Sequence, residues 1–182
     1  MNGLYAGSFD PFHKGHEAVL KTAVKLFTHV RILIAINPNK KYFFTEEERI
    51  NLITQWISKE HLDGKISIDM ISLGKSVVSY AVLNNFNFLI RGIRGVDDVS
   101  AEMTLSEVNQ NIGRKKLDKI GCTKAPTPET VWIPKPINIS SSMIREVINL
   151  KDSAWAEVTA EYIPKSICGL FVKYTSKHLT AG

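Results

Sequence analysis

Short unbroken apolar runs alternate along the chain with stretches in which apolar residues return at helical spacing. The clearest run is Ile32-Leu33-Ile34-Ala35-Ile36, and residues 30–36 as a whole lack polar alternation, which predicts a strand buried on both faces. Leu4-Tyr5-Ala6 predicts a short first strand, Ile66, Ile68 and Met70 a third by alternation, residues 86–90 a fourth buried strand, and 130–133 a fifth. Between the first two strands, Ala18, Val19, Leu20, Ala23, Val24 and Phe27 follow helical spacing from Gly15 onward. Thr45-Glu46-Glu47-Glu48 fits a capping box opening a helix through about Ile57. Further helices are predicted over 76–84, 97–111, 140–149 and 164–177, with Pro164 suited to a first helical turn. Residues 113–129 carry Gly, Lys, Thr and two prolines and are expected to form a long loop.

Strand and helix thus alternate, and the strands read as buried. That combination predicts an α/β fold: a Rossmann-like, doubly wound parallel sheet of about five strands with helices on both faces. Such sheets bind ligands beyond the carboxyl ends of their strands, at the point where strand order reverses. Each chemistry-bearing motif below falls at a predicted strand end.

Length and composition narrow the class. The 182 residues fit one domain spanning 1–182, long enough to bury a core. No apolar run approaches the roughly 20 residues of a membrane helix, and the N-terminus lacks the layout of a secretory signal. Cys122 and Cys168 match neither a disulfide framework nor a metal-ligand spacing, so a reducing cytoplasm is the expected compartment. The net charge of +5, partly in Arg114-Lys115-Lys116 and Lys119, fits either a solvated basic surface or a field that gathers anionic ligands. A basic stripe with interleaved aromatics is missing, which argues against nucleic-acid binding.

Two motifs carry the chemistry. In Gly7-Ser8-Phe9-Asp10-Pro11-Phe12-His13-Lys14-Gly15-His16 a strand enters a glycine turn and then a helix. Backbone N–H groups at that helix start form an anion site favoured by the helix dipole. His13 and His16 flank Gly15 there, and no third ligand stands nearby in sequence to favour zinc over phosphate. In Ile139-Ser140-Ser141-Ser142-Met143-Ile144-Arg145 three hydroxyls precede an amphipathic helix. One is expected to cap it, leaving hydroxyls and N–H groups for phosphate oxygens.

Together these motifs resemble the nucleotidyltransferase superfamily that activates cofactor precursors. Leu89-Ile90-Arg91-Gly92-Ile93-Arg94, Ala101-Glu102-Met103, Asn109 and the run Asn37-Pro38-Asn39-Lys40-Lys41 leading into Phe44-Thr45-Glu46-Glu47-Glu48-Arg49 are similar to phosphopantetheine adenylyltransferases. The resemblance covers about residues 3–150. It implies adenylyl transfer from ATP to 4′-phosphopantetheine, with Mg²⁺ accompanying ATP and a homo-oligomer, a hexamer, as the assembly. It further implies that His16 stabilises the transition state at the α-phosphate. Ser8, Lys40, Val77 and Arg91 would hold the acceptor. Ser8, Phe9, His16, Gly92, Ile93, Arg94, Glu102, Pro136, Ile137, Asn138, Ile139, Ser140, Ser141 and Ser142 would frame ATP.

Several positions depart from the pattern. His13 stands where the bacterial enzymes usually carry threonine, as in other branches of the superfamily, and Lys75-Ser76-Val77 replaces an acidic residue and larger apolar ones. These departures keep a nicotinate or nicotinamide mononucleotide acceptor open as an alternative, for which Trp132 and Trp155 are the candidate ring clamps. The segment 113–128 is longer than in the family, with no role for Cys122, and residues 176–182 read as a flexible tail.

Overall fold

The computed structural model describes residues 1–37, 39–71, 76–122 and 126–180, with side chains described throughout these except at 96–99, 101, 102 and 105. Lys75, and the side chain of Glu102, therefore lie outside the described residues. Five parallel strands form one sheet: β1 (Asn2–Gly7), β2 (His29–Ala35), β3 (Ile66–Ile71), β4 (Phe88–Ile93) and β5 (Glu129–Pro134), in the order β3-β2-β1-β4-β5. The chain builds outward from β1 to β3 and then returns to the far side of β1, so strand order reverses between β1 and β4. Right-handed crossovers then oblige the helices of the two halves to lie on opposite faces.

The packing follows that rule. Helices α1 (Lys14–Leu26) and α2 (Glu46–Lys59) bury Val19, Leu20, Ala23, Leu52, Ile53 and Trp56 with Tyr5, Ile32, Ile34 and Ile90 of the strands. On the other face α3 (Val77–Leu83) packs Val78 and Ala81 against Leu4, Leu33, Ile71 and Leu89, and α4 (Val96–Lys119) lies against α3. Neighbouring residues of one strand thus serve different cores, as the alternation of side chains requires. Thr45 caps α2 through the predicted capping box, its hydroxyl accepting the Glu48 N–H while Glu48 accepts the Thr45 N–H.

Three expectations are corrected. The loop predicted over 113–129 is helical as far as Lys119, because α4 continues through Gly113. That glycine does not mark a turn; it permits close packing. A Cβ there would stand 2.5 Å from Val78 Cβ and 2.9 Å from Ser76 Oγ, so α3 and α4 approach as they do only at glycine. Second, a short helix α6 (Trp155–Ala160) follows α5 (Ser141–Asn149) where none was predicted. Third, residues 176–180 are not a loose tail but the last turns of α7 (Cys168–Thr180), which a 3₁₀ turn at Lys165–Ile167 precedes. His178 sits edge-on to Phe43 and Phe44 and lies 2.7 Å from the Glu48 carboxylate. The last turn of α7 is thereby fastened beside the start of α2, and residues 181 and 182 lie outside the described residues.

Candidate active site

The histidine motif, the serine motif and the end of β4 lie beyond the carboxyl ends of β1, β5 and β4, around the reversal between β1 and β4. The first wall is the N-terminus of α1. His13 is its N-cap, and the two histidines form a capping box of unusual composition. His13 Nδ1 accepts the Gly15 N–H at 3.0 Å, while His16 Nδ1 accepts the His13 N–H at 3.3 Å. The rings stack with centroids 3.7 Å apart, and the rings of Phe9 and Phe12 close on His16 at 4.9 and 5.7 Å.

This environment decides the charge of both imidazoles. Burial pushes His13 down to about 3, and the nearby Lys135 and Arg94 cations add to the effect. Burial likewise holds His16 well below the ordinary imidazole value, helped by His13 and Lys135. Both rings are therefore neutral near pH 7. Because each Nδ1 accepts a backbone N–H, the hydrogen-bond network assigns the single ring proton of each to Nε2. The pair consequently offers two uncharged N–H donors at a helix N-terminus, which is what a phosphate oxygen takes up.

A stability prediction follows from the sign of these shifts. The unfolded chain takes up protons below about pH 6.5 that the folded chain refuses, so folding is weakened as pH falls through that value. His29, lowered by burial and by Arg31, acts in the same sense. The melting temperature should decline from pH 7.5 to pH 5; a flat or rising profile would show that the folded histidines carry charge.

The second wall is the N-terminus of α5, and its three serines are all engaged by the protein. Ser140 Oγ accepts the Met143 N–H at 3.2 Å, Ser141 Oγ donates to the Pro11 carbonyl at 3.0 Å, and Ser142 Oγ accepts from Arg145 Nη2 at 3.1 Å. Arg145 Nη1 also donates to the Asp10 carbonyl at 2.5 Å. The serine motif thus fastens the histidine motif in place, while the first-turn N–H groups of α5 lack intrahelical acceptors by helix geometry.

Asp10 is the joint between these parts. Its carboxylate, 1% exposed, accepts the N–H groups of Phe43 at 3.0 Å and Phe44 at 2.8 Å and lies 3.6 Å from Arg145 Nη1. Arg49, equally buried, stacks over the Tyr42 ring and donates from Nη1 to the Ser8 carbonyl at 2.8 Å. Phe9, buried at φ 50°, occupies a backbone region that is costly for a bulky residue and is held there by its ring contacts with Tyr5, Phe12 and His16. With its ring enclosed, Phe9 has only its backbone to offer a nucleotide.

The end of β4 serves both sides of the sheet. Gly92 faces α1, while Arg91 faces a cavity of about 380 Å³ on the α3 and α4 side. Val77, Ser76, Asn37, Ser106 and Asn109 line it with Arg91. Two predicted acceptor residues, Val77 and Arg91, are therefore brought together there. Lys40 lies exposed on the turn after β2, its N–H bonded to the Asn37 carbonyl at 3.0 Å. Arg94 is exposed just past β4, and Ile93 ends that strand. Pro136, Ile137 and Asn138 form the loop into α5, with Ile139 buried at its base. Trp155 does not reach the site, since it packs edge-on against Phe171 at the foot of α7.

The sequence motifs contain Asp10, Arg49 and Arg145 without assigning them a role, and Lys135 falls outside the motifs. A charged residue inside an otherwise apolar or glycine-rich motif was the signal available for Asp10. Among the described residues no helix is long and apolar enough to cross a membrane, and no cluster of three His, Cys, Asp or Glu could hold a metal ion.

Comparison with known proteins agrees with this geometry. The sequence profile of the cytidylyltransferase-like family matches residues 4–147. A phosphopantetheine adenylyltransferase of Fusobacterium nucleatum is 34% identical over 145 residues, 80% of this chain and 81% of that protein. One from Haemophilus ducreyi is 35% identical over 147 residues, covering 79% of this chain and 81% of the relative. Among solved structures, a nicotinic acid mononucleotide adenylyltransferase of Plasmodium falciparum superposes with a TM-score of 0.62, covering 95% of this chain and 94% of that one. Its 18% identity speaks for a shared fold alone. The chain belongs to the cytidylyltransferase-like family and, within it, to the phosphopantetheine adenylyltransferases.

Proposed function

We propose that the chain transfers the adenylyl group of ATP to the phosphate of 4′-phosphopantetheine, forming dephospho-CoA and releasing pyrophosphate. The observation that carries the reading is the placement of two distinct features around one strand end. The neutral histidine pair stands at the N-terminus of α1, and a separate cavity bearing Arg91 lies across the sheet. A triphosphate on the first and a phosphorylated acceptor in the second would meet where strand order reverses.

An acceptor phosphate carries about −1.5 to −2 charges at neutral pH, so it attacks without a general base. Its oxygen forms a bond to the α-phosphorus while the bond to the β-phosphate oxygen breaks in line, and pyrophosphate leaves with the electron pair. The barrier lies in bringing two anions together and stabilising the charge that shifts between them. His16 donates its Nε2–H to the reacting phosphate in this reading. Ser8, Lys40, Val77 and Arg91 hold the acceptor; Ser8, Phe9, Gly92, Ile93, Arg94, Glu102, Pro136, Ile137, Asn138, Ile139, Ser140, Ser141 and Ser142 frame ATP. The Asp10 and Glu17 carboxylates near the histidines are taken up by protein partners, so Mg²⁺ would enter as part of the ATP substrate, where it would neutralise phosphate charge. A cytoplasmic homo-hexamer completes the reading, with Val108 and Ile112 of α4 as exposed apolar side chains available to a second copy.

Pyrophosphate release with each acceptor tests it. Phosphopantetheine should react and nicotinate mononucleotide should not; the reverse result overturns the reading. An Arg91→Ala protein should show an acceptor KM raised by about tenfold or more with kcat less affected, as expected where ground-state binding is lost.

A further inference from the structure

Lys135 has no place in the roles above, yet its side chain follows a confined path into the site. Its N–H donates to the Ile93 carbonyl at 2.7 Å, which extends the pairing of β5 with β4 by one residue and sets where the side chain departs. The stem then crosses Gly92. A Cβ at that position would stand 2.3 Å from Lys135 Cε and 2.8 Å from Val19 Cγ2. The lysine therefore runs through a slot between β4 and α1 that only a glycine leaves open. Val19 lies one turn along α1 from His16, so the slot leads toward the histidine pair.

The direction of the slot matters because of what the histidines lack. Held neutral, they donate hydrogen bonds but bring no charge to a site that must receive anions. Arg91 serves the cavity on the other face of β4. Arg94 is exposed and bears on His13, whereas the Lys135 cation bears on both rings. Surface lysines often lay their stems on apolar residues, but the Lys135 stem passes Gly92 toward the histidines, and its cation bears on both rings.

We propose that Lys135 is a further catalytic residue, its ammonium contacting the triphosphate beside His16 and countering the charge that builds on pyrophosphate as the bond from the α-phosphorus breaks. No proton moves from the lysine in this step; the leaving oxygen takes the electron pair, and the ammonium stays protonated throughout. The inference rests on the adenylyl-transfer reading, and it adds a residue outside the two motifs.

Lys135→Met keeps the stem in its slot and removes the charge. Its kcat should fall by about a hundredfold, the size expected for one lost transition-state contact, with the acceptor KM within about threefold of the parent value. The melting temperature should stay close to that of the parent. NMR titration should show His13 and His16 taking up protons at higher pH than in the parent, which loss of packing alone would not produce. Lys135→Arg should recover part of kcat, and Gly92→Ala, which closes the slot, should lower kcat in a folded protein. A Lys135→Met protein with kcat within about threefold of the parent overturns the proposal, whether or not the histidines shift. If the unsubstituted protein fails with phosphopantetheine, the function reading falls on that result alone. The lysine is then read from stabilisation by Mg-ATP: Lys135→Met should lose most of the parent's thermal shift, and an unchanged shift overturns it.

Discussion

Adenylyl transfer should fall by about three orders of magnitude or more in a His16→Ala protein that remains folded, since a positioned donor at the reacting phosphate is worth that much. The expectation follows from the neutral state of the ring. A neutral imidazole whose Nδ1 is occupied by the His13 N–H has one proton to give, on Nε2, and its orientation is set before substrate arrives. That preorganisation is what alanine removes. The loss should appear mainly in kcat, because the donor matters most when charge shifts on the α-phosphate. The structural cost is smaller: half of a capping box and one ring stack at the start of α1, about 1 kcal/mol by the usual worth of a cap. Single-turnover pyrophosphate release together with a melting curve separates the two effects. Activity within about tenfold of the parent would remove His16 from the role assigned to it.

The parts of this molecule that were legible in the sequence are those whose reason is local. Residues 30–36 announce a buried strand because nearly every position is apolar, and Thr45 with Glu48 announces a helix start because a capping box is a contact between near neighbours. Gly113 escapes such reading for the complementary reason. A glycine amid polar residues looks like punctuation, but here its cause is Val78, 35 positions away in sequence and 2.5 Å from where a Cβ would stand. Residues 176–182 read as a tail because they extend beyond the family pattern. What orders His178 is the pair Phe43 and Phe44 with Glu48, none of them near it in sequence.

The site divides along the same line. His13 and His16 could be placed at a helix N-terminus from spacing alone, and both stand there. The serines could be placed at another helix N-terminus, and Ser140 caps it as expected. That Ser141 and Arg145 reach back to Pro11 and Asp10 could not be read, since those contacts span 130 and 135 residues. The same holds for Arg91 and Val77, which share a cavity because β4 and α3 meet across a reversal in strand order. Lys135 is the extreme case. Its meaning comes from a slot beside Gly92 that exists only once β4, β5 and α1 are packed together.

Asp10→Ala should be the most destabilising single change at the site, costing about 3–5 kcal/mol. The carboxylate is 1% exposed and satisfies three partners, of which the Phe44 N–H is buried and Phe43 and Arg145 are partly so. Removing it strands the buried N–H of Phe44, worth roughly 1–3 kcal/mol when left without an acceptor, and takes the acceptor from the half-buried N–H of Phe43. It also takes from Arg145 an opposite charge 3.6 Å away, although that guanidinium keeps its bond to the residue-10 carbonyl. For a domain of this size such a loss lowers the melting temperature by about 10 °C or more. Asp10→Asn should fall between the two, because one amide oxygen can replace one of the two carboxylate acceptors. The effect on catalysis should come through geometry. The turn between Ser8 and His13 is pinned from one side by Arg145 and Ser141 and from the other by the Phe43–Phe44 backbone, and Asp10 is the residue that both sides hold. Assayed well below its melting temperature, the Asp10→Ala protein should therefore lose kcat as well as stability. A protein that melts within about 3 °C of the parent would show that Asp10 is not the joint between the two motifs. Full activity in a destabilised protein would show that the turn keeps its shape without it.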